Sequence, residues 1–375
     1  MRTVPPSPED DPGTRAGVVL ALRALGLGDA LTGVPALRGL RRAFPGAHLV
    51  LAGPSGPGGL LRRRGVVDDV LPVDGVAAIA EDAVVAAAHE HPAVLPPGWP
   101  VVAAVNLHGR GPQSALALRG LLDERGADGA RLLGHACPAA GLDGPAWSDD
   151  VAEVERWASL VRATTGAPCG PEDLRLDAAA WPTPLAPERT APGPAEAARP
   201  GRTVVLHPGA ASGSRRWPAS CWTALAAALV AGGRDVVLTG SAAEADVTAE
   251  VAVRARAVVA RSGPTSCVVV DTAGRCDLEQ LAGLLAGARA LVCGDTGVAH
   301  LATALATPSV LLFGPTSPAA WGPAVDHHLH PVLWPAPSAA YRGDPHGAAV
   351  DPVLARTTVD DVLGALAALP ARRAA

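Results

Sequence analysis

Short apolar runs alternate with longer Ala- and Leu-rich segments along most of the chain. After Gly17 the run VVLALRA is followed by the segment PALRGLRRAF and then by the run HLVLAG, and later VVAAVNLHG is followed by SALALRGLLDERG. A short apolar run is typical of a buried strand, and a longer segment with spaced leucines is typical of a helix. Strands and helices in alternation predict an α/β fold with a parallel sheet.

A Pro-rich break interrupts this pattern at residues 181–201. The segment WPTPLAPERTAPGPAEAARPG contains six prolines and no apolar period, so it favours neither a helix nor a strand. The alternation then resumes with the runs TVVLHPG, DVVLTG, ALVCGD and SVLLFGP, which are separated by helical segments. The break therefore predicts a linker between two doubly wound sheets.

The two ends of the chain differ from the middle. Residues 1–14 are rich in Pro, Asp and Ser and lack periodicity, which predicts a disordered lead-in. Beyond Trp321 the chain is irregular until Thr358, where a capping residue and spaced Val and Leu residues predict an amphipathic helix. The predicted organisation is a lead-in at 1–14, a first domain at 15–180, a linker at 181–201, a second domain at 202–330 and an extension with a terminal helix at 331–375.

Composition and charge exclude several classes of protein. Of the 375 residues, 49% are hydrophobic and 18% are charged, which excludes a chain disordered throughout. All 31 basic residues are arginine, and the 36 acidic residues leave a net charge of -5, which does not favour a nucleic-acid partner. Because no apolar stretch approaches 18 residues and no signal peptide is evident, we expect a soluble cytoplasmic protein without a transmembrane segment. Peripheral association with the inner face of the membrane stays open.

The sequence offers little that would hold a metal ion. The six cysteines form no C-x-x-C pair and no close group with histidine, which favours buried reduced thiols. His327, His328 and His330 form a ligand-like cluster, but Asp326 is the only carboxylate near them in the sequence. We therefore expect no metal site.

Three predicted strand-to-helix loops carry polar residues where α/β sheets bind ligands, beyond the carboxyl ends of the strands. The first loop, in residues 21–40, has Gly26 and Gly28 for tight turning and places Asp29 close to the next helix start. A carboxylate there would repel phosphate, so Asp29 suits a catalytic or sugar-hydroxyl role. An ordinary helix N-cap is the alternative.

The second loop, residues 205–218, combines small residues with two arginines. Gly209 and Ala210 allow close backbone approach, and Arg215 and Arg216 can neutralise a diphosphate with their forked donors. A flexible solvated loop is the alternative, and the position directly after a strand argues against it.

The third loop, in residues 291–323, again leads from a strand into a helix. That helix would aim its positive end at a ligand in the loop, which predicts an anion site. His300 could add a donor or could be a buried core histidine. Two anion-binding loops in one domain suggest a nucleotide diphosphate as the ligand. The candidate residues of this loop are Asp295, Thr296, Gly297, Val298 and His300.

Together the three loops resemble the motifs of glycosyltransferase family 9, the heptosyltransferase family. The resemblance rests on GLGDALTGVPALRGLRRAFP, on HPGA-x(4)-RRWP and on GDTGVAHLATALATPSV-x-LFGPT-x-P, and it covers roughly residues 17–325. It implies an α/β protein of the GT-B type, with two Rossmann-like domains facing a central cleft, the first for the acceptor and the second for the nucleotide sugar. It also implies metal-independent transfer of a sugar, with inversion, from a nucleotide diphosphate donor that is typically ADP-heptose.

The resemblance also implies roles for particular residues. It places the family's catalytic carboxylate on Asp29, as a general base, and the phosphate-binding basic residue, often a lysine, on Arg215. It places the nucleotide-contacting acid on Glu244, for which a solvated acid in the first turn of a helix is the alternative. The third loop matches the start of the diphosphate-binding helix. No cofactor is implied beside the donor substrate.

The acceptor site is less well marked. Arg62–Arg64 could bind an anionic acceptor, although a solvated helix end is favoured. Trp147 and Trp157 could stack on a sugar, although core positions are favoured. Three polar residues follow a predicted strand of the first domain and are candidate contacts for a glycan, lipid-linked or small-molecule acceptor: His108, Arg110 and Gln113.

Two other functions are compatible with this sequence. One is a non-catalytic nucleotide-sugar-binding or scaffold protein of GT-B fold, for which a carboxylate at Asp29 has no purpose. The other is a nucleotide-sugar epimerase of similar two-domain design. An epimerase needs no second substrate, so release of nucleotide that depends on an acceptor would separate the two enzymes.

Overall fold

A computed structural model of the chain describes residues 17–75, 79–176 and 201–370. The structure divides into two compact units, the first ending at Leu174 and the second beginning at Arg175. Each unit has a single parallel sheet with helices between its strands. The α/β class that the alternating pattern predicts is therefore confirmed. The predicted lead-in, and the predicted linker apart from Gly201, lie outside the described residues.

In the residues that the structure describes, the first unit has five strands and six helices. Its strands are β1 (Val18–Leu22), β2 (His48–Gly53), β3 (Asp69–Pro72), β4 (Val101–Asn106) and β5 (Arg131–Leu133). Its helices are α1 (Leu27–Thr32), α2 (Val34–Ala43), α3 (Ser55–Arg63), α4 (Ala83–Glu90), α5 (Gln113–Glu124) and α6 (Glu153–Thr165). The strand order is β3-β2-β1-β4-β5, with every neighbouring pair parallel. All five residues of β1 are buried, because a central parallel strand is covered on both faces.

The strand order positions the first candidate site. The chain runs outward from β1 through β2 to β3, and it then returns to the other side of β1 to form β4. At such a switch point the loops after the two central strands diverge and leave a crevice at the carboxyl edge of the sheet. The loop after β1 leads to Asp29, and the loop after β4 carries His108.

The second unit repeats this plan with six strands. Its strands are β6 (Thr203–His207), β7 (Asp235–Leu238), β8 (Val269–Asp271), β9 (Ala290–Gly294), β10 (Ser309–Leu312) and β11 (Val332–Leu333). Its helices are α7 (Ala219–Ala231), α8 (Ala245–Arg261), α9 (Leu278–Gly287), α10 (Gly297–Ala304), α11 (Pro318–Trp321) and α12 (Val359–Ala368). The order is β11-β10-β9-β6-β7-β8, with every neighbouring pair parallel. The switch point lies between β6 and β9, which are the strands that end in the second and third candidate loops.

Helix α3 forms in a segment where the sequence analysis indicates only a helix end, at Arg62–Arg64. Its sequence SGPGGLLRR contains three glycines and a proline, which are poor helix formers. Pro57 lies in the first turn, where no backbone N–H is needed. A Cβ at Gly58 would lie 2.7 Å from Cγ1 of Val70, so the glycine permits close packing on β3. Tertiary packing therefore compensates for the weak propensity.

Residues 331–370 are an integral part of the second unit. Strand β11 pairs with β10, and the terminal helix α12 begins after Thr358. The side chains of Thr358 and Asp361 cap the first turn reciprocally. Within the described ranges, no helix has the length and apolar character needed to span a bilayer.

Candidate functional site

Asp29 lies in the first turn of α1, at the carboxyl edge of the first sheet. The N-cap of α1 is Gly26, so the interpretation of Asp29 as an N-cap is wrong. The side chain is 26% exposed, and its Oδ1 lies 3.3 Å from Nη2 of Arg23. The carboxylate is thus accessible to a small molecule and paired with a buried cation.

Arg23 is a buried cation that the sequence analysis does not single out. It is 1% exposed, and its Nη2 donates to Oγ1 of Thr32 at 2.9 Å and to Oε1 of Glu153 at 3.1 Å. Its Nε and Nη1 donate to the backbone oxygens of Asp29 and Leu107. The sequence feature that could have indicated Arg23 is its position as the single charge near the end of the otherwise apolar run VVLALRA.

Glu153, at the start of α6, balances the charge of Arg23. Its carboxylate accepts hydrogen bonds from Nε of Arg156 at 3.0 Å and from Nε1 of Trp157 at 2.7 Å. Burial opposes ionisation of Glu153, but the charge of Arg23 and these hydrogen bonds together hold its pKa below the usual range. The Trp157 ring is buried beneath the Arg23 guanidinium at 4.7 Å, whereas Trp147 is half-buried.

The candidate acceptor residues follow β4, beside the loop that leaves β1. Nδ1 of His108 accepts a hydrogen bond from the backbone N–H of Ala24 at 3.1 Å, which ties the two loops together. Burial, and then the charge of Arg23, lower the pKa of His108 to about 4, so the ring is neutral at neutral pH. With Nδ1 as an acceptor, the ring proton is on Nε2 and can be donated to a substrate oxygen. Arg110 and Gln113 are exposed on the same connection, and their role as acceptor contacts stays a prediction.

The other charged candidates make contacts of their own. Arg62 donates to Asp69 at 3.0 Å from the last turn of α3, which agrees with a basic helix end.

His330, one of the three histidines considered as metal ligands, is buried, and its Nδ1 lies 2.8 Å from Oγ of Ser309. Burial lowers the pKa of His330 to about 3. All six cysteines are unbridged. Among the residues that the structure describes, no three His, Cys, Asp or Glu side chains are grouped so as to hold a metal ion.

The second and third candidate loops meet at the switch point of the second sheet. Nη1 of Arg215 lies 3.4 Å from the backbone oxygen of Asp295 and 3.8 Å from its carboxylate. Nε of Arg215 donates to Oγ of Ser212 at 3.3 Å. The Asp295 carboxylate also accepts a hydrogen bond from the hydroxyl of Thr316. Arg215 is 20% exposed, so the guanidinium is oriented by these contacts and can still reach a ligand.

Helix α10 starts beside this arginine. Its N-cap is Thr296, whose side chain makes no capping hydrogen bond, so the Thr296 hydroxyl does not occupy the first-turn amides at the positive end of the helix. Gly297 opens the helix, and Val298 and His300 are buried in its first turns. The ring of His300 packs edge-on against Trp321, 6.1 Å between centroids, which agrees with the core-histidine alternative.

Glu244 lies at the same edge of the sheet and contacts the start of the second loop. One carboxylate oxygen accepts hydrogen bonds from N and Oγ of Ser241, at 2.7 and 2.9 Å. The other oxygen lies beside Gly209, where a Cβ would come within 2.0 Å of it. Nδ1 of His207 is hydrogen-bonded to Oγ1 of Thr239 at 3.0 Å. Burial lowers the pKa of His207, and the charge of Glu244 opposes that effect. Glu244 is half-buried, which disfavours a freely solvated acid.

A stretch of the C-terminal extension, residues 343–351, packs on the Arg215 loop. The backbone N–H of Ser214 donates to the carbonyl of Gly347 at 2.9 Å, and the N–H of Asp351 donates back to the carbonyl of Ser214 at 3.2 Å. The first residue of the stretch donates to the carbonyl of Pro315 at 2.9 Å. The 343–351 segment therefore holds the second and third loops in one arrangement.

Gly213→Ala is expected to weaken binding of the nucleotide diphosphate that the two anion-binding loops predict, for which ADP is the test ligand. A Cβ at this position would lie 1.8 Å from the carbonyl oxygen of Ala348, a backbone atom that no side-chain rotation can remove. The loop or the 343–351 segment must shift, and Arg215 moves with the loop. Because a hydrogen bond to a charged group is worth about 1.5–3 kcal/mol, ADP affinity measured by calorimetry should fall about tenfold or more.

Gly364→Ala is the matched control, since no atom lies within 4 Å of the Cβ it would add. Its affinity for ADP should equal that of the wild type. Equal affinity in Gly213→Ala as well would show that the 343–351 segment does not shape the loop.

Comparison with known proteins identifies the family of the region that carries the second and third loops. The sequence model of glycosyltransferase family 9 (heptosyltransferase) matches residues 146–338, just over half of the chain. A curated relative, lipopolysaccharide heptosyltransferase 2 of Salmonella typhimurium, is 37% identical over 112 residues. That match covers 30% of this chain and 30% of the relative, so the aligned part is under a third of either protein.

Solved structures resemble the chain over nearly its whole length. The E. coli ADP-heptose lipopolysaccharide heptosyltransferase II matches with a TM-score of 0.65 and 23% identity, covering 94% of this chain and 98% of that one. The E. coli heptosyltransferase WaaC with ADP matches with a TM-score of 0.63 and 20% identity, covering 92% and 98%. At these identities the likeness establishes the fold, and the expected GT-B class is confirmed.

Proposed function

The chain belongs to glycosyltransferase family 9, and from that membership we propose that it transfers a sugar, with inversion, from a nucleotide diphosphate donor to an acceptor hydroxyl. The observation that carries the proposal is the placement of Arg215 against Asp295 at the N-terminus of α10. A guanidinium and a helix N-terminus at a switch point together suit a diphosphate. We take ADP-heptose as the donor, because the names of both solved structures refer to ADP and to heptose transfer.

Charge stabilisation at the second unit supports departure of the nucleotide. As the bond between the anomeric carbon and the diphosphate oxygen breaks, its electron pair passes to that oxygen. Arg215 and the first-turn amides of α10 would meet this growing charge, and contacts that strengthen with charge favour the transition state. Glu244, beside Gly209, would accept a hydrogen bond from a hydroxyl of the nucleoside.

Asp29 supplies the base in this proposal. Its carboxylate would take the proton of the acceptor hydroxyl while the acceptor oxygen attacks the anomeric carbon from the face opposite the diphosphate. The exposed side of the carboxylate and its place at the carboxyl edge of the sheet support this role. The attack from the opposite face inverts the anomeric centre.

The acceptor would bind near the loop after β4. His108 is neutral and can donate from Nε2, and Arg110 and Gln113 are exposed on the same connection. These groups suit hydroxyl and anionic oxygens of a glycan. A lipopolysaccharide-type glycan is the first acceptor to test, because the curated relative is named a lipopolysaccharide heptosyltransferase.

The test is release of ADP from ADP-heptose with and without an acceptor. We expect release to require an acceptor and to yield an acceptor that carries heptose, detected by mass spectrometry. Release without an acceptor would favour an epimerase or a hydrolase, and binding without release would favour a non-catalytic protein. Thermal shift with ADP-, UDP- and GDP-sugars selects the donor, since a ligand at 100 times its Kd adds about 2.7 kcal/mol of stability.

We expect activity to survive exhaustive treatment with EDTA. The positive charge of Arg215 already lies 3.8 Å from the Asp295 carboxylate, so a second cation at that carboxylate would be repelled. Arginine and backbone amides can hold the diphosphate charge directly. ADP release should be the same before and after EDTA, with at most a modest effect of added magnesium. Loss of activity in EDTA that a divalent ion restores would make Asp295 a metal ligand and overturn this part of the proposal.

A further inference from the structure

Nη2 of Arg23 has more acceptors than hydrogens. It carries two hydrogens, and three oxygens lie around it: Oγ1 of Thr32 at 2.9 Å, Oε1 of Glu153 at 3.1 Å and Oδ1 of Asp29 at 3.3 Å. The hydroxyl of Thr32 donates to the backbone oxygen of Asp29, so its lone pairs face the guanidinium. The two carboxylates therefore share one donor group, and Asp29 has the longest contact.

The guanidinium cannot turn away from this arrangement. Nε and Nη1 donate to the backbone oxygens of Asp29 and Leu107, and the plane of the group lies over the ring of Trp157. The carboxylate of Glu153 is shared by two cations, because it also accepts a hydrogen bond from Nε of Arg156. The fork of Arg23 also reaches the side chain of Asp29, which is the second carboxylate against it.

We propose that Arg23 and Glu153 are positioning residues that together set the orientation of Asp29 and the pH range in which it is ionised. This proposal rests on the proposed role of Asp29 as the base. Arg23 stabilises the carboxylate form of Asp29 and directs Oδ1. Glu153 partly neutralises the Arg23 charge that acts on Asp29. The pKa of Asp29 is therefore lowered less than that of a carboxylate paired with an arginine of its own, and Asp29 remains the stronger base.

Among the described residues, the titratable groups near Asp29 come from three elements. Arg23 approaches from the end of β1, and Glu153 approaches from α6 with Arg156 behind it. His108, after β4, is uncharged above its pKa of about 4. Of these described groups, Arg23 and Glu153 carry the charges in contact at Nη2 at neutral pH, and Arg156 is paired with Glu153.

Arg23→Met should move the acidic limb of the pH profile of kcat/KM upward. An opposite charge within about 4–6 Å lowers the pKa of a carboxyl by about 1–3 units. Removal of Arg23 should therefore raise the midpoint pH of the acidic limb by about one unit or more. Glu153 remains paired with Arg156, but its negative charge then acts on Asp29 without the Arg23 cation between them, which shifts the limb in the same direction.

Glu153→Gln should move the same limb downward. Both carboxylates contact Nη2, which places their oxygens within about 6 Å of each other, and removal of a like charge at that distance should lower the limb by about half a unit to one unit. Arg156 keeps its bonds to the backbone oxygens of Ser148 and Val151, so the packing of α6 should persist. Glu155→Gln, on the same helix and paired with Arg162, is the matched control and should not move the limb.

Arg23→Lys separates orientation from charge. A lysine keeps the positive charge but cannot reproduce the fork, so the limb should stay near that of the wild type while kcat falls. Shifts in opposite directions for Arg23→Met and Glu153→Gln cannot arise from loss of structure, which would lower activity at every pH. If Arg23→Met does not fold, the Glu153→Gln variant still tests the proposal, because a downward shift of the acidic limb supports it and an upward shift contradicts it.

A second measurement is independent of the acceptor. The ¹³Cγ resonance of Asp29 in ¹³C-aspartate protein, assigned by its loss in Asp29→Asn, should titrate with the same opposite displacements. Unmoved titration in both variants would overturn the proposal for Arg23 and Glu153. If Asp29→Asn keeps full turnover, the proposed base is wrong instead, so the two failures are distinguishable.

Discussion

Replacing Asp29 with alanine should lower kcat about 100-fold or more, the lower end of what general base catalysis contributes. The substitution removes the carboxylate that would accept the proton, and the proposed donor contacts belong to the second unit. Donor affinity should therefore be unchanged, and kcat and kcat/KM for the acceptor should fall together. Steady-state ADP release and calorimetry with ADP measure the two quantities.

The fold should survive this change, because Arg23 keeps its pairing with Glu153 and its bonds to backbone oxygens. Asp29→Asn tests the same point with nearly the same volume and should lose turnover to a similar extent. Wild-type turnover in either variant would remove Asp29 from the mechanism.

Arg215→Ala should weaken both donor binding and turnover. A charge-assisted contact to the diphosphate acts in the ground state and strengthens as the leaving group forms. Loss of a hydrogen bond to a charged group, about 1.5–3 kcal/mol, corresponds to a fall of about 10- to 150-fold in affinity for ADP. The fall in kcat/KM should be larger than the fall in affinity.

Arg216→Ala is the natural control beside it. Arg216 is exposed, and its Nε donates to the carbonyl of Ala210 at 2.9 Å, so it should matter less than Arg215. Arg215→Lys should recover part of the lost affinity, because the charge is kept. Equal affinity of the wild type and Arg215→Ala for ADP would show that this loop does not bind the diphosphate.

The sequence by itself predicted the α/β class, the central strands and the position of the candidate loops. Strands such as β1 and β9 are continuous apolar runs, because central parallel strands are buried on both faces. The cap of α12 could be predicted because Thr358 and Asp361 are three residues apart and contact each other within one turn. Each of these signals is local, so it survives in the order of the residues.

Only the tertiary structure decided how the candidate sites are completed. Arg23 meets Glu153 across 130 positions of sequence, and Ser212 meets Pro345 across 133. A charge at the end of an apolar strand has no visible partner until the sheet brings α6 to it. The 343–351 segment shows no periodic pattern of apolar residues. Its backbone is held by hydrogen bonds to two loops that are distant in the sequence. Hydrogen bonds between residues so far apart leave no local pattern, which is why the sequence located the loops and the fold determined what surrounds them.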